Sequence, residues 1–211
     1  MRLYDYAASG NCFKVRLLLG MLGTPYERVP VDIFGGDTLT DAYFAINPVR
    51  ETPVLELDGG ERIAQSSAVL WYLAEGTPFL PGGPLERAQV VQWLAFEQER
   101  IMSTLGGARF RLITGRAEAD DPAIVARLKA GREALDVLDA HLDGRDWVVG
   151  ERVTIADLGL FPYISVAPVD LSEWRRVSLW AERIRALPGF ADDFIVYPDN
   201  ARAGAGASIY A

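Results

Sequence analysis

The chain has 211 residues, 50% hydrophobic and 24% charged, enough to bury one large core or two small ones. Its 29 acidic and 21 basic residues leave a formal charge of −8, which opposes polyanionic partners and excludes nucleic acid. One cysteine, Cys12, and one histidine, His141, allow neither an internal disulfide nor a Cys/His metal set of the usual spacing. The start carries no apolar leader and no run approaches the ~20 apolar residues of a membrane helix, so the chain reads as cytoplasmic, with no membrane partner. The same two counts leave Ser-His-Asp or Cys-His catalysis only His141. Chemistry therefore needs another way of activating a nucleophile, or one supplied from outside.

In chain order, Arg2 to Tyr6 reads as a short aromatic strand and Asn11 to Leu22 as a helix stopped by Gly23 and Pro25. Tyr26 to Ile33 is β-branched around Pro30, which makes it an edge strand, and Leu39 to Ile46 forms a short helix before Asn47-Pro48. Pro53 to Leu57 and Glu61 to Ala64 flank Asp58-Gly59-Gly60 as a hairpin, and Ser67 to Ala74 is a helix with Ser66 as its N-cap. The order is β-α-β-α-β-β-α.

Thr77-Pro78-Phe79-Leu80-Pro81-Gly82-Gly83-Pro84 concentrates residues that no helix or strand interior tolerates, so residues 77–84 read as a linker between domains at 1–76 and 85–211. Beyond it the period is helical throughout: Leu85 to about Leu112, Pro122 to Leu142, Thr154 to Val166 and Ser172 to Leu187. The stretch Ala201 to Ala211 is rich in small residues. It follows no strand and opens no helix, so it reads as a tail and not as a nucleotide loop.

Ser9-Gly10-Asn11-Cys12 lies between the first strand and first helix, where free backbone N–H groups and the positive helix end converge. Either Asn11 or Ser9 is merely the N-cap of the helix over a buried Cys12, or the site stabilises a thiolate, that of Cys12 or of a bound thiol. Thr52-Pro53 opens a strand, with a cis bond as one possibility. Gln65-Ser66-Ser67 offers an amide, hydroxyls and helix-start N–H groups to a carboxylate.

Together these segments resemble the N-terminal domain of cytosolic glutathione transferases, a variant of the thioredoxin fold. Ser9-Gly10-Asn11-Cys12-Phe13-Lys14-Val15-Arg16 is most similar to the serine/cysteine-type branch, which includes zeta-like and bacterial enzymes. The resemblance extends to Gly150-Glu151-Arg152-Val153-Thr154-Ile155-Ala156-Asp157, like the family's buried capping motif, and to Leu187-Pro188-Gly189-Phe190. It implies a thioredoxin-like α/β domain followed by an all-α domain, and glutathione as co-substrate. Arg50, Thr52, Pro53, Gln65 and Ser66 then bind glutathione, and Ser9, with Asn11 and Cys12 beside it, faces the sulfur. The activity implied is attack of the glutathione thiolate on a small electrophile. A homodimer is implied too, with Trp93 and Phe96 offering apolar surface.

Two departures from the pattern stand out. Gln65 occupies a position where glutamate is frequent, which removes a charge opposite the γ-glutamyl ammonium. Phe96 to Met102 suggests a rebuilt second-substrate pocket, beside which Arg109 and Arg111 form either a solvated basic face or a seat for an anionic acceptor. Alternatives to the transferase are a Cys12-dependent thiol-transferase and a transferase-like binding module without turnover. His141 and Trp71, Trp93, Trp174 and Trp180 read as packing residues.

Overall fold

The computed structural model describes residues 1–209. Four short strands, β1 (Arg2–Asp5), β2 (Glu27–Pro30), β3 (Val54–Glu56) and β4 (Arg62–Ala64), form one sheet in the order β2-β1-β3-β4. β1 runs parallel to β2 and antiparallel to β3, and β3 runs antiparallel to β4. Pro30 lacks an N–H, and β2 is accordingly at an edge. Alternation sends Leu3 and Leu55 to one face, packed with Val15, Leu19 and Val69, and Tyr4 and Val54 to the other, packed with Val31 and Tyr43. The helices around the sheet are α1 (Gly10–Leu22), α2 (Asp41–Ile46) and α3 (Ser66–Ala74). This is a thioredoxin-like domain.

The rest is helical: α4 (Pro84–Phe96), α5 (Gly107–Ile113), α6 (Pro122–His141), α7 (Ile155–Ser165) and α8 (Arg175–Arg185). The helix expected over Leu85 to Leu112 is one rod of three parts, because Glu97–Gly106 between α4 and α5 is π-helical. The wider π turn ends at Gly106-Gly107, the pair with the least helical preference in the run. Thr154 caps α7, accepting from the Ala156 N–H at 3.2 Å, while Asp157 accepts from the N–H groups of Thr154 and Val148 and from Trp180 Nε1 at 2.9–3.0 Å. The expected capping box is present and fully buried. His141 bonds the Val148 carbonyl and packs 4.6 Å from the Trp93 ring, in keeping with a packing role.

One hydrophobic core joins the two parts, with Phe13, Leu17, Leu18 and Leu70 meeting Leu94, Phe161 and Trp180. Each such side chain contributes about 1.5–3 kcal/mol by burial, which makes this a welded contact and not a loose hinge.

The tail expectation is corrected. Residues 190–209 strap across both parts: Phe194 stacks on Phe13, Asn200 Nδ2 donates to Asp32, Ala203 N to the Thr114 carbonyl and Ala207 N to the Phe34 carbonyl. At Gly206 the backbones touch: a Cβ there would collide with the carbonyl oxygens of Phe34 and Asn200. Tyr210 and Ala211, the end of that stretch, lie outside the described residues.

Candidate active site

A cleft of about 430 Å³ opens between the sheet end of the first part and the rod of the second. Ser9 is the N-cap of α1, with extended backbone (φ −84°, ψ 122°) and an Oγ that accepts from the Cys12 N–H at 3.3 Å. Its hydroxyl proton remains available for donation into the cleft that Ser9 lines. Asn11 also lines it. Its Oδ1 accepts from Lys14 Nζ at 2.8 Å and Ser66 Oγ at 3.3 Å. An ammonium can only donate, so this contact fixes the amide with its oxygen toward Lys14 and leaves the Nδ2 hydrogens for the cleft.

Lys14 is held by Glu97 from the π segment, Nζ to Oε2 2.6 Å, and Gln98 donates to the same oxygen at 2.8 Å. Burial lowers the Lys14 ammonium from its usual value and the Glu97 charge opposes that. The chain Ser66–Asn11–Lys14–Glu97–Gln98 thus runs beneath the cleft from one part to the other.

Tyr163, from α7, fits between two glycines. A Cβ on Gly10 would stand 2.8 Å from its ring and one on Gly106 2.7 Å. Only hydrogens at both positions let the ring reach the cleft that it lines.

On the sheet side, Thr52–Pro53 is cis, and both residues line the cleft. Gln65 and Arg50 have positive φ, 71° and 61°. Gln65 Nε2 donates to Glu51 Oε2 at 3.2 Å, and Arg50 Nη1 to the carbonyls of Thr38 and Thr40 at 2.7 and 3.0 Å. Ser66 was expected as the N-cap of α3; it is instead the first helical residue, with Gln65 in the cap position making no side-chain cap bond. Ser66 therefore presents a helix-start N–H together with its hydroxyl. The facing wall is the rod, through Gln98, Met102, Gly106, Gly107, Phe110 and Arg111.

Cys12 does not line the cleft. It is fully buried with Tyr6, Ala8, Phe34 and Ala201, and burial, followed by the nearby Asp5 charge, pushes its thiol up to about 12.

The chain matches the family described as "Glutathione S-transferase, N-terminal domain" over residues 8–75 and "Glutathione S-transferase, C-terminal domain" over residues 100–188. A glutathione S-transferase of Pseudomonas fluorescens superposes with a TM-score of 0.88 at 39% identity, covering 92% of this chain and 98% of that one. A zeta-class glutathione S-transferase of Euphorbia esula is 31% identical over 90% of this chain and 88% of its own length. The chain belongs to the glutathione S-transferase family.

A second transferase family member of Pseudomonas fluorescens, solved with two glutathione molecules bound, is 28% identical with a TM-score of 0.79 over 89% of each chain. Within this transferase fold the cleft collects Ser9, Asn11, Arg50, Thr52, Pro53, Gln65 and Ser66, every expected site residue except Cys12. Neither the thiol-transferase nor the binding-module alternative is favoured. Lys14, Glu97, Tyr163 and Tyr197 were not anticipated. Gly106 was the one available signal, since glycine in a helix wall often marks a close approach.

Arg109 corrects the solvated-face reading: it is 7% exposed, its guanidinium 5.2 and 5.3 Å from the ring centres of Phe194 and Tyr197. Trp93 is likewise buried, at 6% exposure, and offers no surface to a second subunit. Among the described residues, no helix is long and apolar enough to cross a membrane.

Proposed function

We propose that the cleft activates the thiol of bound glutathione and directs the thiolate at a small electrophile seated against the Met102–Arg111 wall. The observation that carries this is the convergence of Ser9, Asn11, Thr52, Gln65 and Ser66 on one cavity. The γ-glutamyl carboxylate takes the helix-start N–H of Ser66 and its hydroxyl, whose one proton turns to the ligand from Asn11 Oδ1. The Glu51 carboxylate beside Gln65 supplies the charge opposite the γ-glutamyl ammonium that Gln65 itself lacks.

The sulfur then meets the start of α1, where helix-end N–H groups, the Ser9 hydroxyl and the Asn11 amide all favour the anionic form. The thiol proton leaves to water and no protein base is required. In a substitution, a sulfur lone pair forms the new C–S bond while the leaving group departs with its bonding pair; orientation in the cleft supplies much of the remaining rate gain.

The same reading divides the chain into a glutathione-binding domain at 1–76, a linker at 77–84 and a substrate-side domain from 85. It makes the protein a cytoplasmic homodimer, with Leu85 and Val91 (70% and 52% exposed) offering the apolar surface that Trp93 does not.

Calorimetry with glutathione tests the central claim. Ser66→Ala should weaken binding by about 1.5–3 kcal/mol, the range for a hydrogen bond to a charged group. Unchanged affinity would put the binding site elsewhere.

A further inference from the structure

Helix α5 carries Arg109 and Arg111 two residues apart, which in a helix sends them to nearly opposite sides. Arg109 turns inward and Arg111 lines the cleft. Arg111 Nη1 donates back to the Gly107 carbonyl at 3.1 Å, and Arg127, from α6, donates to the Ser103 carbonyl. Both side chains converge on Gly107: a Cβ there would lie 3.2 Å from Arg127 Nη1 and 3.4 Å from Arg111 Nη1. Arg116 adds a third guanidinium nearby, over the cleft-lining rings of Phe34 and Phe110 at 5.6 and 4.9 Å.

Three like charges grouped at a cleft wall repel one another. Burial, then Arg127 and Arg116, lower the Arg111 guanidinium from its usual value. Among the described residues none of the three forms an ion pair. Acidic side chains are not scarce in a chain with 29 of them. Each guanidinium has five N–H donors in a planar fork that matches a carboxylate, and the bonds from Arg111 to Gly107, from Arg127 to Ser103 and from Arg116 to the Ala201 carbonyl engage one nitrogen of each. Gly107 leaves the backbone beneath them bare. Gly106, the preceding residue, touches Tyr163, whose ring rests on Gly10 at the start of α1, so the cationic pair adjoins the thiol end of the cleft.

We propose that Arg111, supported by Arg127, seats an anionic group of the second substrate, so that the preferred electrophiles carry a carboxylate or an anion of similar shape near the carbon attacked by sulfur. This rests on the glutathione-transferase reading above and names the substrate class of that same site. Arginine stays charged throughout the physiological range, so the preference holds at every pH where the acceptor is ionised.

Two product-like ligands of equal size provide the test: S-(4-carboxy-2-nitrophenyl)glutathione and its 4-carbamoyl counterpart, titrated by calorimetry alongside glutathione itself. The native protein should bind the carboxylate at least tenfold more tightly than the carboxamide. Arg111→Gln should bring the two within about twofold, and Arg127→Gln should narrow the gap, with thermal melts confirming that both variants fold. Equal affinities in the native protein, with glutathione binding intact, would overturn the anionic seat and leave the transferase reading standing; the comparison needs no variant. Failure of glutathione and both conjugates to bind would overturn both.

Discussion

Lys14 Nζ stands 2.6 Å from Glu97 Oε2, and neither side chain has any solvent-accessible surface. Removing one partner of a buried pair strands the other charge, at a cost of about 3–5 kcal/mol. Glu97→Gln should lower the urea midpoint accordingly, and the double change Lys14→Met with Glu97→Leu should recover most of the loss. A Glu97→Gln protein less than about 1 kcal/mol weaker would show that the pair does not hold the two parts together.

Sulfur activation is tested at Ser9 and Asn11. A donor to the thiolate lowers its pKa, so Ser9→Ala and Asn11→Ala should each raise the pKa of bound glutathione by about one to two pH units, the equivalent of one charge-assisted hydrogen bond. Turnover should then fall at neutral pH and approach the native value under alkaline conditions, where the thiol is ionised in either protein. Ultraviolet titration of the complex reads the thiolate directly. Of the two, Ser9 is expected to matter more; an unmoved titration in Ser9→Ala would transfer the role to Asn11.

Cys12 should be chemically silent. With its thiol near 12 and no exposure, iodoacetamide at pH 7.5 should leave the native protein unmodified for hours and should label it promptly in denaturant. Mass spectrometry gives the answer. Rapid labelling of the folded protein with loss of activity would restore the cysteine mechanism.

The Glu56 carboxyl is held down at about 2 by hydrogen bonds from Arg62 and then Arg2. Its unfolded value is near ~4.3. A carboxyl with a depressed folded pKa contributes stability above its unfolded value and loses that contribution as pH falls through the folded one. The melting-temperature gap between the native protein and Glu56→Gln should be full at pH 6 and close between about pH 4.3 and 2. A gap constant over that interval would contradict the assignment.

The difference between what could and could not be read in the sequence is one of distance along the chain. α1 and α6 carry their own stop and start signals in Gly23 and Pro122, and their limits fall within a residue of expectation. Thr154 and Asp157 are three residues apart and legible as a capping box. Lys14 and Glu97 are separated by 83 positions, and nothing local distinguishes a lysine bound for the interior. Gln65 at φ 71° is a conformation that glutamine does not favour, imposed by the cleft and not announced by neighbours. The small residues after Ala201 read as a tail; that Gly206 has no room for a side chain follows only from the close approach of Phe34, far away in the sequence, and of Asn200.

Tyr163 wedged between Gly10 and Gly106 divides the cleft into positions that cannot vary and positions that can. Any side chain at either glycine must displace the ring, and on the proposed reading that ring helps to shape the floor on which sulfur and electrophile meet. Gly107, Arg111 and Met102 carry no such duty. On the proposed reading, selection for a new electrophile, in the laboratory or in a lineage, has its freedom along that outer stretch of the rod, while the two glycines keep the Tyr163 ring in place beneath it.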